Sequence, residues 1–204
     1  MITIGLTGGI GSGKSTVAQM LVDRGAAFVN ADLVGHRSYL KGTATYEQLV
    51  AEFGREIVGA GGEVDRQRLG RRVFGDPQAR ERLNTIVWPA MAELMAQDLE
   101  AARGRGARVA VLEAAVLLEA GWTWLVDEVW VVIASAEVAI RRLEAKGMSS
   151  QEAEARIRSQ ISNEERVYQS DVVIKNDGTV EELEAQVQSL WDELQQRRLP
   201  AKRT

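Results

Sequence analysis

Cysteine is absent from the 204 residues, and His36 is the single histidine. No disulfide, thiolate zinc centre or cysteine nucleophile can be built from such a chain, and a multi-histidine metal site is excluded. Aromatic residues make up only 5% of the sequence, and there are three prolines. The longest apolar run, VDEVWVVIA, carries charges and falls short of the about 18 residues that suggest a membrane span. The opening MITIGLTGG resembles neither a signal peptide nor a transit peptide. A cytoplasmic protein with no membrane partner is expected. Basic residues do not outnumber acidic ones, the formal net charge being −4, which argues against a nucleic-acid partner. There is no internal repeat or long low-complexity tract. The end of the chain, RRLPAKRT, reads as a solvated basic tail.

A hydrophobic content of 45% is enough for a core. The length allows one compact domain with insertions, or two small ones. ITIGLT reads as a buried strand entering glycines, and STVAQMLVDRG as a helix stopped by Gly25. AAFVN is a second strand. ADLVGHRSYL and TATYEQLVAEFG follow as helices, GAGGEVD as a glycine-rich turn and RQRLGRRVFG as a short basic helix. DPQARERLNTIVWPAMAELMAQDLEAARGRG predicts a long helix, with Asp76 as N-cap and Pro77 at its first position. Pro89 is expected to kink or break it. Three more strands lie in ARVAVLEAAVLL, VDEVWVVIA and SDVVIKN. Between and after them, SAEVAIRRLEAKG (Ser135 as cap), SSQEAEARIRSQISNEERVYQ and GTVEELEAQVQSLWDELQQRR each predict one helix. Strands alternating with helices imply an α/β fold with a mainly parallel five-stranded sheet. The helical stretch from about residue 32 to 104 reads as an insertion.

The strongest motif is GGIGSGKS, which fits G-x-x-x-x-G-K-S/T from Gly8 through Gly13, Lys14 and Ser15, between a strand and a helix. Glycines let the loop curl so that backbone N–H groups converge on phosphate oxygens. The following helix adds the positive end of its dipole. Lys14 is placed to reach the β- and γ-phosphates, and Ser15 to hold Mg²⁺. A GTP switch would need D-x-x-G together with N-K-x-D. Asp32 to Gly35 fits the first, but the second occurs nowhere, IKND having the wrong order. A small-molecule kinase accounts for more. Asp32, after the second strand, would align or deprotonate an acceptor hydroxyl, and it also stands where it would cap the next helix. Arg142 and Lys146, spaced i, i+4, share a helix face suited to a lid, with Arg156 and Arg158 on the next helix. An ordinary solvated basic face explains that spacing equally well.

At this point the ordered segments resemble the dephospho-coenzyme A kinase family. They are GLTGGIGSGKSTVAQ, NADLVGH, GGEVDRQRLGRRVFGD, EARIRSQ and SDVVIKNDGT, and together the resemblance spans roughly residues 2 to 195. It implies one P-loop nucleoside triphosphate hydrolase-like three-layer domain over residues 1–204, with a helical substrate-binding region at 32–104 and a lid at 136–169. It implies transfer of the ATP γ-phosphate to the 3′-hydroxyl of dephospho-coenzyme A, with Mg²⁺ required. Carried over residue by residue, Asp32 matches the proposed catalytic aspartate. Gly8, Gly9, Gly11, Ser12, Gly13, Lys14, Ser15 and Thr16 form the ATP loop. Asn176 and Gly178 match a loop near the adenine, and Arg66 sits at the basic position of the substrate region. Glu119 matches a family glutamate and is a substrate-side candidate, a helix-start or ion-pair role fitting it equally well. His36, four residues after Asp32, is a further substrate-side candidate. Arg142, with Lys146, would steady the transferring phosphoryl group.

Several positions depart from the family pattern: Asn30, Trp88, Ala115 and Glu113 stand where aspartate, histidine, proline and aspartate are usual. The Trp88 and Ala115 variants resemble the kinase domain of the animal bifunctional coenzyme A synthase. Lysine at 146 supplies charge without the arginine fork. Trp122 and Trp124 read as core residues. A monomer acting on ATP and dephospho-coenzyme A is expected. A kinase for a nucleoside or nucleotide acceptor is the nearest alternative, and a non-catalytic nucleotide-binding regulator the next.

Overall fold

The computed structural model describes residues 1–197; the basic tail expected at the end of the chain lies outside them, apart from Arg197. Five strands, β1 (Ile2–Gly8), β2 (Ala27–Asn30), β3 (Val109–Glu113), β4 (Glu128–Ile133) and β5 (Val172–Lys175), form one sheet in the order β2-β3-β1-β4-β5. The β1–β3, β1–β4 and β4–β5 pairings are parallel. β3 is buried along its whole length and β1 and β4 nearly so, as their continuous apolar runs require of a sheet covered on both faces.

The chain divides into two compact units, one of residues 1–28 and 102–204, the other of residues 29–101. In the first, α1 (Lys14–Asp23) and α9 (Val180–Gln196) pack Val17, Leu21, Leu183 and Val187 against Ile4, Leu6, Val111, Trp130 and Ile174 of the sheet. Thr179 starts α9 with a reciprocal capping box to Glu182. α6 (Ala136–Glu144), α7 (Ser150–Arg158) and α8 (Asn163–Tyr168) lie between β4 and β5 in sequence. Ser135 caps α6 as predicted.

The single helix predicted over SSQEAEARIRSQISNEERVYQ is instead two, α7 and α8. Ser162 starts the second by accepting the Glu165 N–H at 3.1 Å. Local periodicity carries straight through residues 159–162, but the Gln160 side chain bonds elsewhere, to the glycine-rich loop.

In the second unit, α2 (Ala31–Ser38), α3 (Ala44–Phe53) and α4 (Arg66–Val73) are short, and α5 (Pro77–Gly104) leads back to the sheet. Thr43 caps α3, and Asp65 caps α4 by accepting from Gln67 and Arg68. Asp76 Oδ1 accepts the Ala79 N–H at 3.0 Å, so the predicted start of α5 holds. Pro89 does not break α5, which runs unbroken for 28 residues. An internal proline costs about 3 kcal/mol. Here the flanking Val87, Met91, Ala92, Met95 and Leu99 are all buried, and that packing offsets the lost bond. Trp122 is 2% exposed, whereas Trp124 is 67% exposed and is not a core residue.

Candidate active site

β1 runs into the glycine loop, and Gly13 ends the loop as the N-cap of α1 with φ of 92°. An L side chain is disfavoured at that angle, and a Cβ on Gly13 would lie 2.1 Å from Asn176 Nδ2. The loop wraps a cavity of about 620 Å³, lined along its length by Gly8 to Gly11 and Gly13 to Thr16. The far wall comes from Ala145 and Lys146 after α6, and from Gly178, Val180 and Leu183 at the start of α9. Arg142, Asn176, Gln160 and Ala115 complete it. One end is therefore polar and rich in backbone N–H groups, and the other has an apolar wall.

At the cavity floor three groups meet. Lys14 Nζ donates to Glu113 Oε1 at 2.5 Å, and Ser15 Oγ donates to the same oxygen at 2.7 Å. Glu113 ends β3 and is 4% exposed, so this carboxylate is a buried counter-charge for the loop lysine. The Glu113 carboxylate is thus in direct contact with both loop side chains. Ser12 is buried, and its carbonyl accepts from Asn176 Nδ2 at 2.7 Å. Asn176 Oδ1 accepts from Arg142 Nη2 at 3.1 Å, and Arg142 Nη1 also reaches the Gly11 carbonyl at 3.5 Å. Asn176 is 5% exposed, so it works as a bracket joining β5, the loop and Arg142. Lys146 is exposed on the rim. Asp177 sits beside this bracket. Its Oδ1 accepts the Ser135 N–H at 2.7 Å, and chiefly this bond holds its carboxyl below the usual value, with Arg142 and Lys175 helping.

Glu119 lies 3.6 Å from Arg166 Nη2, too long for a hydrogen bond but close enough for charge attraction. Arg166 is 2% exposed. Burial pulls its guanidinium below the ordinary value, against the attraction of Glu119 and Glu165. Arg166 is marked by no local sequence signal, and Gln160, although it closes the matching segment EARIRSQ, carries no sign there of its contact with the loop. Both come from the α7–α8 segment, about 150 residues from the loop, and only the fold brings them there.

In the other unit the structure corrects the reading of Asp32 as a helix cap. Asn30 is the N-cap of α2, its Oδ1 accepting the Leu33 N–H at 3.1 Å. Asp32 is the second residue of the helix, exposed in its first turn. A carboxylate there interacts favourably with the helix dipole without being the cap. Asparagine and aspartate cap equally well, so the Asn30 departure preserves the helix start. His36 lies in the last turn of α2, half-buried. Arg66 opens α4 near Tyr39, whose hydroxyl is pushed up by burial against the opposing pull of the Arg66 charge. Among the described residues no cluster of three or more histidine or acidic side chains could hold a metal ion by itself. Nor is any helix among them long and apolar enough to cross a membrane.

Comparison with known proteins gives a consistent result. The sequence profile of the family described as Dephospho-CoA kinase matches residues 2–182. A Dephospho-CoA kinase of Symbiobacterium thermophilum is 45% identical over 192 residues, covering 94% of this chain and 80% of the relative. That of Geobacter sulfurreducens is 44% identical over 192 residues, covering 94% and 98%. Among solved structures, a protein of Thermus thermophilus superposes with a TM-score of 0.79 at 34% identity, covering 95% of this chain and 97% of the other. The chain belongs to the dephospho-CoA kinase family, and its fold is that of the P-loop kinases.

Proposed function

We propose that this member of the dephospho-CoA kinase family binds ATP in the loop-lined cavity and transfers its γ-phosphoryl group to the 3′-hydroxyl of dephospho-coenzyme A, giving coenzyme A and ADP. The observation that carries the reading is the meeting of Lys14, Ser15 and Glu113 at the floor of a cavity with phosphate donors at one end and an apolar wall at the other. Adenine would rest on Val180 and Leu183, beside Gly178. The triphosphate would lie along the amides of Gly9 to Thr16, in the field of the α1 N-terminus.

With phosphates in place, Lys14 exchanges its contact with Glu113 for the β- and γ-oxygens. Ser15 Oγ and the Glu113 carboxylate are hard oxygen donors of the kind Mg²⁺ takes alongside phosphates and water. The ion would supply charge neutralisation between the β- and γ-phosphates. Arg142, held by Asn176, contributes a fixed cation above the loop. Asp32, whose carboxylate has no partner among the described residues, would orient the acceptor hydroxyl and take its proton. Arg66 would meet the diphosphate of the acceptor, with His36 and Glu119 as further substrate-side candidates.

The test is ADP release by the purified protein with ATP, Mg²⁺ and a panel of acceptors. Release is expected with dephospho-coenzyme A alone. Release with nucleosides would overturn the acceptor assignment, and tight ATP binding without turnover would overturn catalysis.

A further inference from the structure

The helical sequence between Ser149 and Gln169 is interrupted at residues 159–162, and the interruption places one side chain against the phosphate loop. Gln160 Oε1 accepts the Ile10 N–H at 2.9 Å. A Cβ on Gly9 would lie 3.5 Å from the same oxygen and 3.6 Å from Arg166 Nη1. Gln160 lines the nucleotide-sized cavity and also a second cavity, of about 500 Å³, that shares Gly9 and Ile10 with the first. Arg166 fixes the neighbouring backbone, since its Nη1 donates to the Ile161 carbonyl. Gln160 is thus held at the loop from behind.

The two ends of the loop have different neighbours. Ser12 and Gly13 are bracketed by Asn176, on the side of Gly178 and Val180. Gly9 and Ile10 are bracketed by Gln160 and Arg166. A nucleotide with its base on the Val180 wall and its phosphates along the loop brings the last phosphate to Gly9 and Ile10. There the Ile10 N–H is one of the loop's converging donors, and Gln160 and the terminal phosphate compete for it.

A primary amide can resolve that competition, because it carries an acceptor and two donors on one plane. Half a turn about its last torsion replaces Oε1 with Nε2. The group that accepted from Ile10 then donates to a phosphate oxygen, and the Ile10 N–H is released to the same phosphate. A diphosphate presents nothing at that end, so the Ile10–Gln160 bond stays.

We propose that Gln160 is a specificity-determining residue that reads the terminal phosphate, favouring the triphosphate over the diphosphate. This inference rests on the nucleotide assignment made above.

The experiment is calorimetric binding of ADP and of the β,γ-imido analogue of ATP to the full chain, to Gln160→Ala and to Gln160→Glu. In Gln160→Ala the preference for the analogue over ADP should fall about five- to tenfold, the loss of one hydrogen bond to a charged group less the Ile10–Gln160 bond that no longer has to be broken, while ADP affinity changes less than about twofold. In Gln160→Glu the carboxylate still accepts from Ile10 but repels the terminal phosphate, so the preference should fall further. An equal loss for both nucleotides would mean a structural clasp and would overturn the proposal, as would an unchanged preference. Wild-type protein that binds neither nucleotide would remove the nucleotide assignment and this inference with it, a result distinct from a change confined to the variants.

Discussion

Replacing Glu113 by glutamine keeps the shape of the cavity floor and removes its charge. The Lys14 and Glu113 side chains are 13% and 5% exposed. Stranding one member of a buried pair costs about 3–5 kcal/mol. Glutamine retains neutral hydrogen bonds to Lys14 Nζ and Ser15 Oγ, which recover about 1 kcal/mol. The expected net loss is about 2–4 kcal/mol. In a chain of this size each kcal/mol moves the melting temperature by about 2–4 °C, so Glu113→Gln should melt about 4–16 °C lower. Urea unfolding should show a lower midpoint with an unchanged slope. ATP supplies a new anion to Lys14, so saturating ATP without Mg²⁺ should raise the melting temperature of the variant more than that of the wild type. The double variant Lys14→Met, Glu113→Gln should lose less than the sum of the single losses, by at least about 1 kcal/mol. Single losses that add within about 0.3 kcal/mol would show that the two side chains do not interact, and the account of the cavity floor would fail.

Other consequences are open to direct measurement. Asp32→Asn should lower turnover about 100-fold or more with ATP affinity unchanged, as expected for a group acting on the acceptor hydroxyl; near-normal turnover would remove that role. Asn30→Ala should destabilise by about 1 kcal/mol through loss of the α2 cap, while Asn30→Asp should be close to neutral, as urea unfolding would reveal. Gly13→Ala should abolish ATP binding in a calorimeter, because its Cβ would meet Asn176 and its backbone angle is strained. Asp177 has a folded-state value below the ordinary aspartate value of about 3.9. Its contribution is therefore complete above about pH 4 and is lost as pH falls through the lower folded value. The stability difference between wild type and Asp177→Asn, measured by urea unfolding, should be present at neutral pH and shrink as the pH drops below about 4.

What could be read from the sequence followed from signals that are local in the chain. The glycine loop between a strand and a helix, the Asp76–Pro77 start of α5 and the serine and threonine caps each concern neighbours within a few residues. Misreadings arose where distant contacts decide. Of the two outcomes local chemistry allows Pro89, a kink or a break, the break does not occur, because buried residues on both sides carry the helix through it. Periodicity alone does not mark the α7–α8 break: Ser162 caps the second helix locally, and between the helices Gln160 bonds the loop amide of Ile10, 150 residues away. Asp32 and Asn30 are two residues apart and both are good caps, so only backbone geometry assigns the role to Asn30. Glu113 was visible as a departure at a strand end, but not its contact with Lys14 and Ser15, which parallel pairing of β1 with β3 brings about.

The central claim concerns which atom receives the phosphoryl group. Phosphorus NMR of the product formed from ATP and dephospho-coenzyme A tests it most directly. The account predicts one new phosphomonoester signal, coupled to the 3′-proton of the ribose, growing in step with ADP. Free phosphate growing with ADP, or a phosphomonoester at any other position, would contradict it.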